Sequence, residues 1–269
     1  MQSHSRRAFI AAGSISLAGG AAMARGIATG TEPETDNPTP VRATPDRARE
    51  FVGACHVQID KVRAMLEIDP DLAKASWDWG FGDYETAIGA CSHTGRKDII
   101  ELLLKHGARP TIFTLATLDK IAAVRGFIES MPGARDIEGP HSISLYRHAQ
   151  AGKATRVMEY LEKAGLDQGA EIFESDPTVA KKHTGIFAWR GTSQDRAEIS
   201  WVERSKCLSI KIGAESTRNL MPADPDPRAP GSLAFRPAGS RGARVLFDSP
   251  DKFALHYAGM ITVADRIDG

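Results

Sequence analysis

The sequence predicts an α + β chain in separate domains, an N-terminal helical repeat array followed by a C-terminal antiparallel β barrel or sandwich. Three observations carry this. Apolar residues recur at helical spacing between residues 47 and 168, with Ile99, Ile100, Leu103 and Leu104 as the sharpest set. The period changes after Ile172, where Ala197-Glu198-Ile199-Ser200-Trp201 and Leu208-Ser209-Ile210-Lys211-Ile212 alternate apolar with polar. The 269 residues also suffice to bury one or two cores.

Composition narrows the function classes. Lys plus Arg and Asp plus Glu both total 34, so the chain has no overall electrostatic pull toward nucleic acid or an anionic membrane. Three cysteines are too few, and an odd number, for a disulfide framework.

The chain opens Ser5-Arg6-Arg7-Ala8-Phe9-Ile10, followed by an uncharged Ala/Gly/Ser-rich stretch to Ala22-Met23-Ala24. A basic start, a short apolar segment and an A-x-A end read as a cleavable signal over residues 1–24. The Arg6-Arg7 pair resembles the bacterial twin-arginine export signal, with Ile10 and Ala11 departing from its usual Leu and Lys. That resemblance implies export in a folded state and a periplasmic location. The alternative, a single membrane anchor, wants about 20 mostly apolar residues, more than Ala8 to Ala24 provides. No stable membrane insertion is expected after cleavage. Residues 25–46 carry Pro33, Pro38, Pro40 and Pro45 among polar residues and read as a disordered linker.

Between residues 47 and 168, Thr86-Ala87-Ile88-Gly89-Ala90-Cys91-Ser92-His93 predicts a short first helix of small residues. Asp98 to Lys105 predicts a second, apolar-faced helix, ended by Gly107 in a left-handed cap. Weaker copies start at Arg49, Phe113 and Ile143, with Val62, Val124 and Val157 as second-helix markers. The Thr86–Ala108 stretch closely resembles an ankyrin repeat, whose period is about 33 residues. The resemblance implies a recognition surface without catalysis, formed by hairpin tips and exposed first helices.

The string Trp77-Asp78-Trp79-Gly80-Phe81-Gly82-Asp83-Tyr84 precedes the best copy, in a loop or hairpin. Trp77, Trp79, Phe81 and Tyr84 are the candidate binding residues, because aromatics at a turn serve as interface anchors. The competing reading packs them down as local core.

From 178 to 269, Thr184–Arg190, Arg244–Phe247, Phe253–Tyr257 and Met260–Arg266 join the two alternating runs as strands, with the Pro-rich loop 222–231 outside the sheet. Gly185-Ile186-Phe187, Leu208 to Ile212, Leu220-Met221-Pro222, Phe235 and Val245-Leu246-Phe247 together resemble the lipocalin-like β domain of penicillin-binding-type serine hydrolases. In that family the serine chemistry sits in a separate domain.

No hydrolase elbow, zinc-protease helix, phosphate loop or C-x-x-C motif occurs. Ser249-Pro250-Asp251-Lys252 matches S-x-x-K but reads as a turn between strands. Cys55 and Cys91 read as buried small residues, and no disulfide between them is expected. His93, His106, His141 and His148 read as structural residues of turns and helix edges, with no ligand spacing. The sequence therefore predicts no catalytic residues, no metal and no cofactor. It predicts a non-catalytic protein-binding scaffold of the periplasm or cell envelope with an unidentified protein partner and no nucleic acid. The alternative is a small-ligand carrier or enzyme with its site in the β domain or the interdomain cleft.

Overall fold

The computed structural model describes residues 43–166, 174–191, 195–225, 227 and 231–268. Arg6, Arg7, the signal and nearly all of the linker lie outside the described residues.

Local signals start and stop the helices. Thr44 caps α1 (Pro45–Ala54) by accepting a hydrogen bond from Arg47 N, with Pro45 in the first turn where no N–H is needed. Helix α1 buries Phe51, Val52 and Ala54, and α2 (Ile59–Ile68) adds Val62 and Leu66. A two-stranded hairpin follows, β1 (Ser76–Asp78) with β2 (Tyr84–Thr86). Thr86 then caps α3 (Ala87–His93), accepting from Gly89 N at 3.0 Å. Every α3 residue but His93 is buried, and all of these except Ile88 are small. Helix α4 (Lys97–Lys105) fully buries Ile99, Ile100 and Leu103, and Gly107, at φ +82°, ends it.

Thr111 and Thr114 cap each other in a capping box at α5 (Ile112–Thr117). Helices α6 (Ile121–Ser130), α7 (Leu145–Ala151) and α8 (Thr155–Lys163) complete this region, burying Val124, Ile128, Leu145, Val157 and Leu161. The shorter helices α3, α5 and α7 pack side by side, with α2 against α4 and α6 against α8. At Gly95 and Gly152 any Cβ would collide with the backbone of Ala151 and Thr117 respectively, so glycine is what lets these helix ends approach.

After the short α9 (Pro177–Ala180), eight strands close into an antiparallel barrel: β3 (Gly185–Trp189), β4 (Arg196–Val202), β5 (Cys207–Ile212), β6 (Arg218–Pro222), β7 (Leu233–Pro237), β8 (Arg244–Ser249), β9 (Lys252–Tyr257) and β10 (Met260–Arg266). Each pairs with its neighbours in sequence, and β10 closes on β3. Eight strands leave an interior just wide enough for side chains. Phe187, Phe247 and Phe253 meet there with ring centroids 5.0–6.3 Å apart, joined by Ile199, Leu208, Ile210 and Phe235.

The predicted fold class is corrected in its architecture. The barrel is present, but the helices do not form a separate N-terminal ankyrin-like repeat array: residues 42–269 form one compact unit. The connections between helices are unequal, interrupted by the β1–β2 hairpin and by 3-10 turns at Pro132–Ala134 and Pro140–Ser142. The physical reason is that these connections are fastened to the barrel. Arg236 of β7 bonds Glu138 at 3.2 Å, Gly239 N donates to Ser142 Oγ at 2.8 Å, Arg218 of β6 pairs with Asp83, and Phe81 meets the Tyr257 ring edge-on at 5.3 Å.

Candidate metal centre

Four side chains from four separate elements converge between the helices. Glu85 is the middle residue of β2, and its carboxylate is completely buried. His56 lies in the turn after α1, His93 is the last residue of α3, and His141 lies in the 3-10 turn before α7. His93 Nε2 is 2.8 Å from Glu85 Oε1, His56 Nε2 is 3.4 Å from Oε2, and His141 Nε2 is 3.5 Å from Oε1. One ligand atom from each of the four lies within 4.8 Å of the others.

The surroundings fix which nitrogens face inward. A backbone carbonyl can only accept, so the 3.1 Å contact from His56 Nδ1 to Gly53 O places the proton on Nδ1. The neutral ring then points an Nε2 lone pair at Glu85. His141 does the same with a carboxylate: Nδ1 is 2.7 Å from Asp83 Oδ2, an oxygen that Arg218 shares. Imidazoles that give one N–H to a carbonyl or carboxylate and present the other nitrogen inward are oriented as metal-bound histidines are. Trp79 Nε1 donates to Glu85 Oε2 at 2.8 Å and steadies the carboxylate in the same way.

Electrostatics favour a cation at this point. Burial opposes ionisation of Glu85, but hydrogen bonds and charge from His141 and His93 outweigh it and hold the carboxyl well below the usual range. Burial pushes His56 down, toward the neutral form that a metal needs. The Nε2 lone pair of neutral His56 faces this ionised carboxylate, a repulsive contact that a shared proton or a metal ion between them relieves. Three imidazole nitrogens and one carboxylate oxygen suit zinc and its first-row neighbours. Ligand bonds of about 2.0–2.2 Å place tetrahedral donors about 3.3 Å apart; the contacts to Glu85 are 2.8–3.5 Å, while the four donors together spread to within 4.8 Å and would draw in around an ion.

His148 borders the centre. It is fully buried, gives its Nδ1 proton to Ser144 O at 2.8 Å and lies 6.2 Å, ring to ring, from His93. Burial depresses it to about 4, so it is neutral.

The aromatic string that the sequence singled out is dispersed. Trp77 and Trp79 are half-buried against the helical core. Phe81, at φ +58°, reaches the barrel, and Tyr84 alone of the four is exposed. His93, His141 and His148, set aside in the sequence as structural, sit in or beside the cluster, together with His56 and Glu85, which the sequence did not single out. His106 does not join them and bonds Leu102 O. Cys55, Cys91 and Cys207 are free and buried. Ser249 and Lys252 face each other across the β8–β9 turn, with Lys252 paired to Asp248 at 2.8 Å. Among the described residues no helix is long and apolar enough to cross a membrane.

Comparison of the chain with protein-family models, with curated proteins and with solved structures finds no match.

Proposed function

We propose that the protein binds a first-row divalent metal ion, with zinc as the leading candidate, through His56, Glu85, His93 and His141. The observation that carries this is the orientation of His56 and His141: each gives Nδ1–H to a fixed acceptor and turns Nε2 onto one buried carboxylate. Four protein donors complete a tetrahedral zinc shell, whereas an ion preferring six ligands would keep two positions for water or substrate. The test is elemental analysis of purified protein, followed by zinc titration of the chelator-stripped protein. One equivalent of zinc is expected, and none in a His56→Ala/His93→Ala variant of unchanged circular dichroism. Wild-type protein that takes up no divalent metal would refute the reading.

Export is a proposal supported by the Ser5-Arg6-Arg7 start and the uncharged stretch to Ala22-Met23-Ala24. Replacing Arg6 and Arg7 by Lys should strand precursor in the cytoplasm, and normal export of that variant would remove it. A protein-binding role keeps one exposed aromatic anchor, Tyr84, at 68% exposure. Capture of a partner from a periplasmic extract by wild type and not by Tyr84→Ala would support that role.

A further inference from the structure

A cavity of about 530 Å³ opens beside His141, between the 3-10 turn that carries it, the β4–β5 turn and the start of β6. Its wall is rich in hydrogen-bond donors: the Arg204 guanidinium, the Ser205 and Thr217 hydroxyls, the Asn219 amide and Arg218. Arg218 is 6% exposed, and its Nε is buried with no hydrogen-bond partner among the described residues. Buried guanidinium donors left unmade are rare and call for an occupant or another explanation.

The charge balance has a sign. Asp83 neutralises Arg218, and Lys206, 3.3 Å from Glu174, neutralises the one acidic residue on the wall. Arg204 has no ion-pair partner among the described residues. A divalent ion beside the Glu85 carboxylate leaves one further positive charge at the metal, with His141 belonging to both the metal shell and the cavity wall. The cavity therefore carries net positive charge on a wall of hydroxyl, amide and guanidinium donors, the surface that planar or tetrahedral oxyanions fit.

We infer that this cavity is an oxyanion subsite, taking a small molecule with a carboxylate or phosphate group and holding it beside the metal ion. Arg204 and Asn219 grip the anion from the barrel side, and His141 links its occupancy to the metal. For that link the inference rests on the metal reading above. Without the metal, Arg204 is the one unpaired cation on the wall among the described residues and the Glu85 charge behind His141 offsets it, so metal and anion should bind cooperatively.

The experiment titrates zinc-loaded and zinc-free full-length protein by calorimetry at low ionic strength, where exposed charges are least screened. Inorganic phosphate and acetate are the two probes, and zinc content is measured on the same samples. The expected result is saturable binding of one or both anions to the zinc-loaded protein, at least fivefold weaker without zinc and at least tenfold weaker in Arg204→Ala. Tighter phosphate than acetate would assign the natural ligand to phosphate compounds, and the reverse to carboxylates. No saturable binding of either probe by about 10 mM, in the weak range of affinities, would overturn the inference. So would equal binding with and without zinc, or an Arg204→Ala variant that binds like wild type. Protein that holds one zinc but no anion refutes the subsite alone. Protein that takes up no zinc refutes the metal reading, and with it the cooperative link.

Discussion

Asp83 and His141, far apart in sequence, are joined twice: Asp83 Oδ1 accepts from the His141 backbone N–H at 2.9 Å, and Oδ2 accepts from Nδ1 at 2.7 Å. The double bond of contacts holds both the main chain and the ring of a residue whose φ, +61°, is unfavourable for a side chain this large. Position and tautomer of the inward-facing nitrogen are thus set by one carboxylate, itself anchored to the barrel through Arg218.

Asp83→Asn should therefore weaken zinc binding without abolishing it, because no ligand is removed. Loss of a carboxylate that holds a ligating histidine costs about 10–100-fold in metal affinity, and that is the drop expected in competition against a chromophoric chelator. The same variant leaves Arg218 facing a neutral amide in a buried place, so its melting temperature should fall as well. Unchanged zinc affinity would show that Asp83 serves the fold alone.

Metal removal should be visible as stability. Zinc that binds the folded state and not the unfolded chain stabilises by about 4 kcal/mol when present at about a thousand times its dissociation constant. In a chain of this size that corresponds to a rise in Tm of roughly 8–16 °C. Scanning calorimetry with excess zinc and then with a chelator should show the rise and its reversal. In a Glu85→Gln variant the rise should shrink sharply, because the only charged ligand is gone. An equal rise in that variant would place the zinc elsewhere.

The barrel was largely legible and the centre was not, for different physical reasons. Strands with one face inward alternate, and the start of β4 shows it: Ala197 and Ile199 are buried while Arg196 and Glu198 are exposed, whereas β5 buries Cys207 to Ile210 in succession. Strand β6 escapes alternation because the successive Leu220 and Met221 are both fully buried, as happens where a strand is covered on both sides. Strand β7 does the same with Ala234 and Phe235. The candidate metal ligands have no fixed spacing because each comes from a different element, and only the packing of α1, α3, the hairpin and the 3-10 turn before α7 brings them together. Nothing local distinguishes the buried Glu85 from the exposed Asp78 of the same hairpin. The separate repeat array was misread because sequence periodicity reports faces, and not the ion pairs that tie Glu138 and Asp83 to the barrel.

His148 makes the metal-free protein sensitive to mild acid. It is buried and neutral with its value depressed from 6.5 to about 4, burial being the main cause. Below pH 6.5 the unfolded chain binds a proton that the folded state refuses until about pH 4, so stability falls across that window and levels off beneath it. Between pH 7.5 and pH 5 this group alone should remove about 2 kcal/mol. Urea unfolding of chelator-stripped wild type and His148→Gln should show the variant losing less by about that amount. Parallel losses in the two proteins would mean that His148 is solvated.

Trp79 separates a supporting role at the metal from the role of a partner anchor. Its indole N–H donates to Glu85 Oε2, its ring end lies over Gly53 of α1, and the His56 ring meets it edge-on at 6.2 Å. Trp79→Phe keeps an aromatic ring in the same slot and removes only the donor, leaving the carboxylate free to turn away from the ion. Zinc affinity should fall about tenfold, the lower end of the range for losing a hydrogen bond to a metal ligand, with a small change in Tm. Trp79→Ala should instead lower Tm, by less than the about 3–5 kcal/mol that emptying a fully buried aromatic site costs, because the ring is half-buried. Tyr84, 68% exposed on the same hairpin, is the control, and Tyr84→Ala should alter neither quantity. If Trp79→Phe binds zinc like wild type while losing capture of a protein partner, the indole is an interface anchor, and its hydrogen bond to Glu85 serves only to hold the ring.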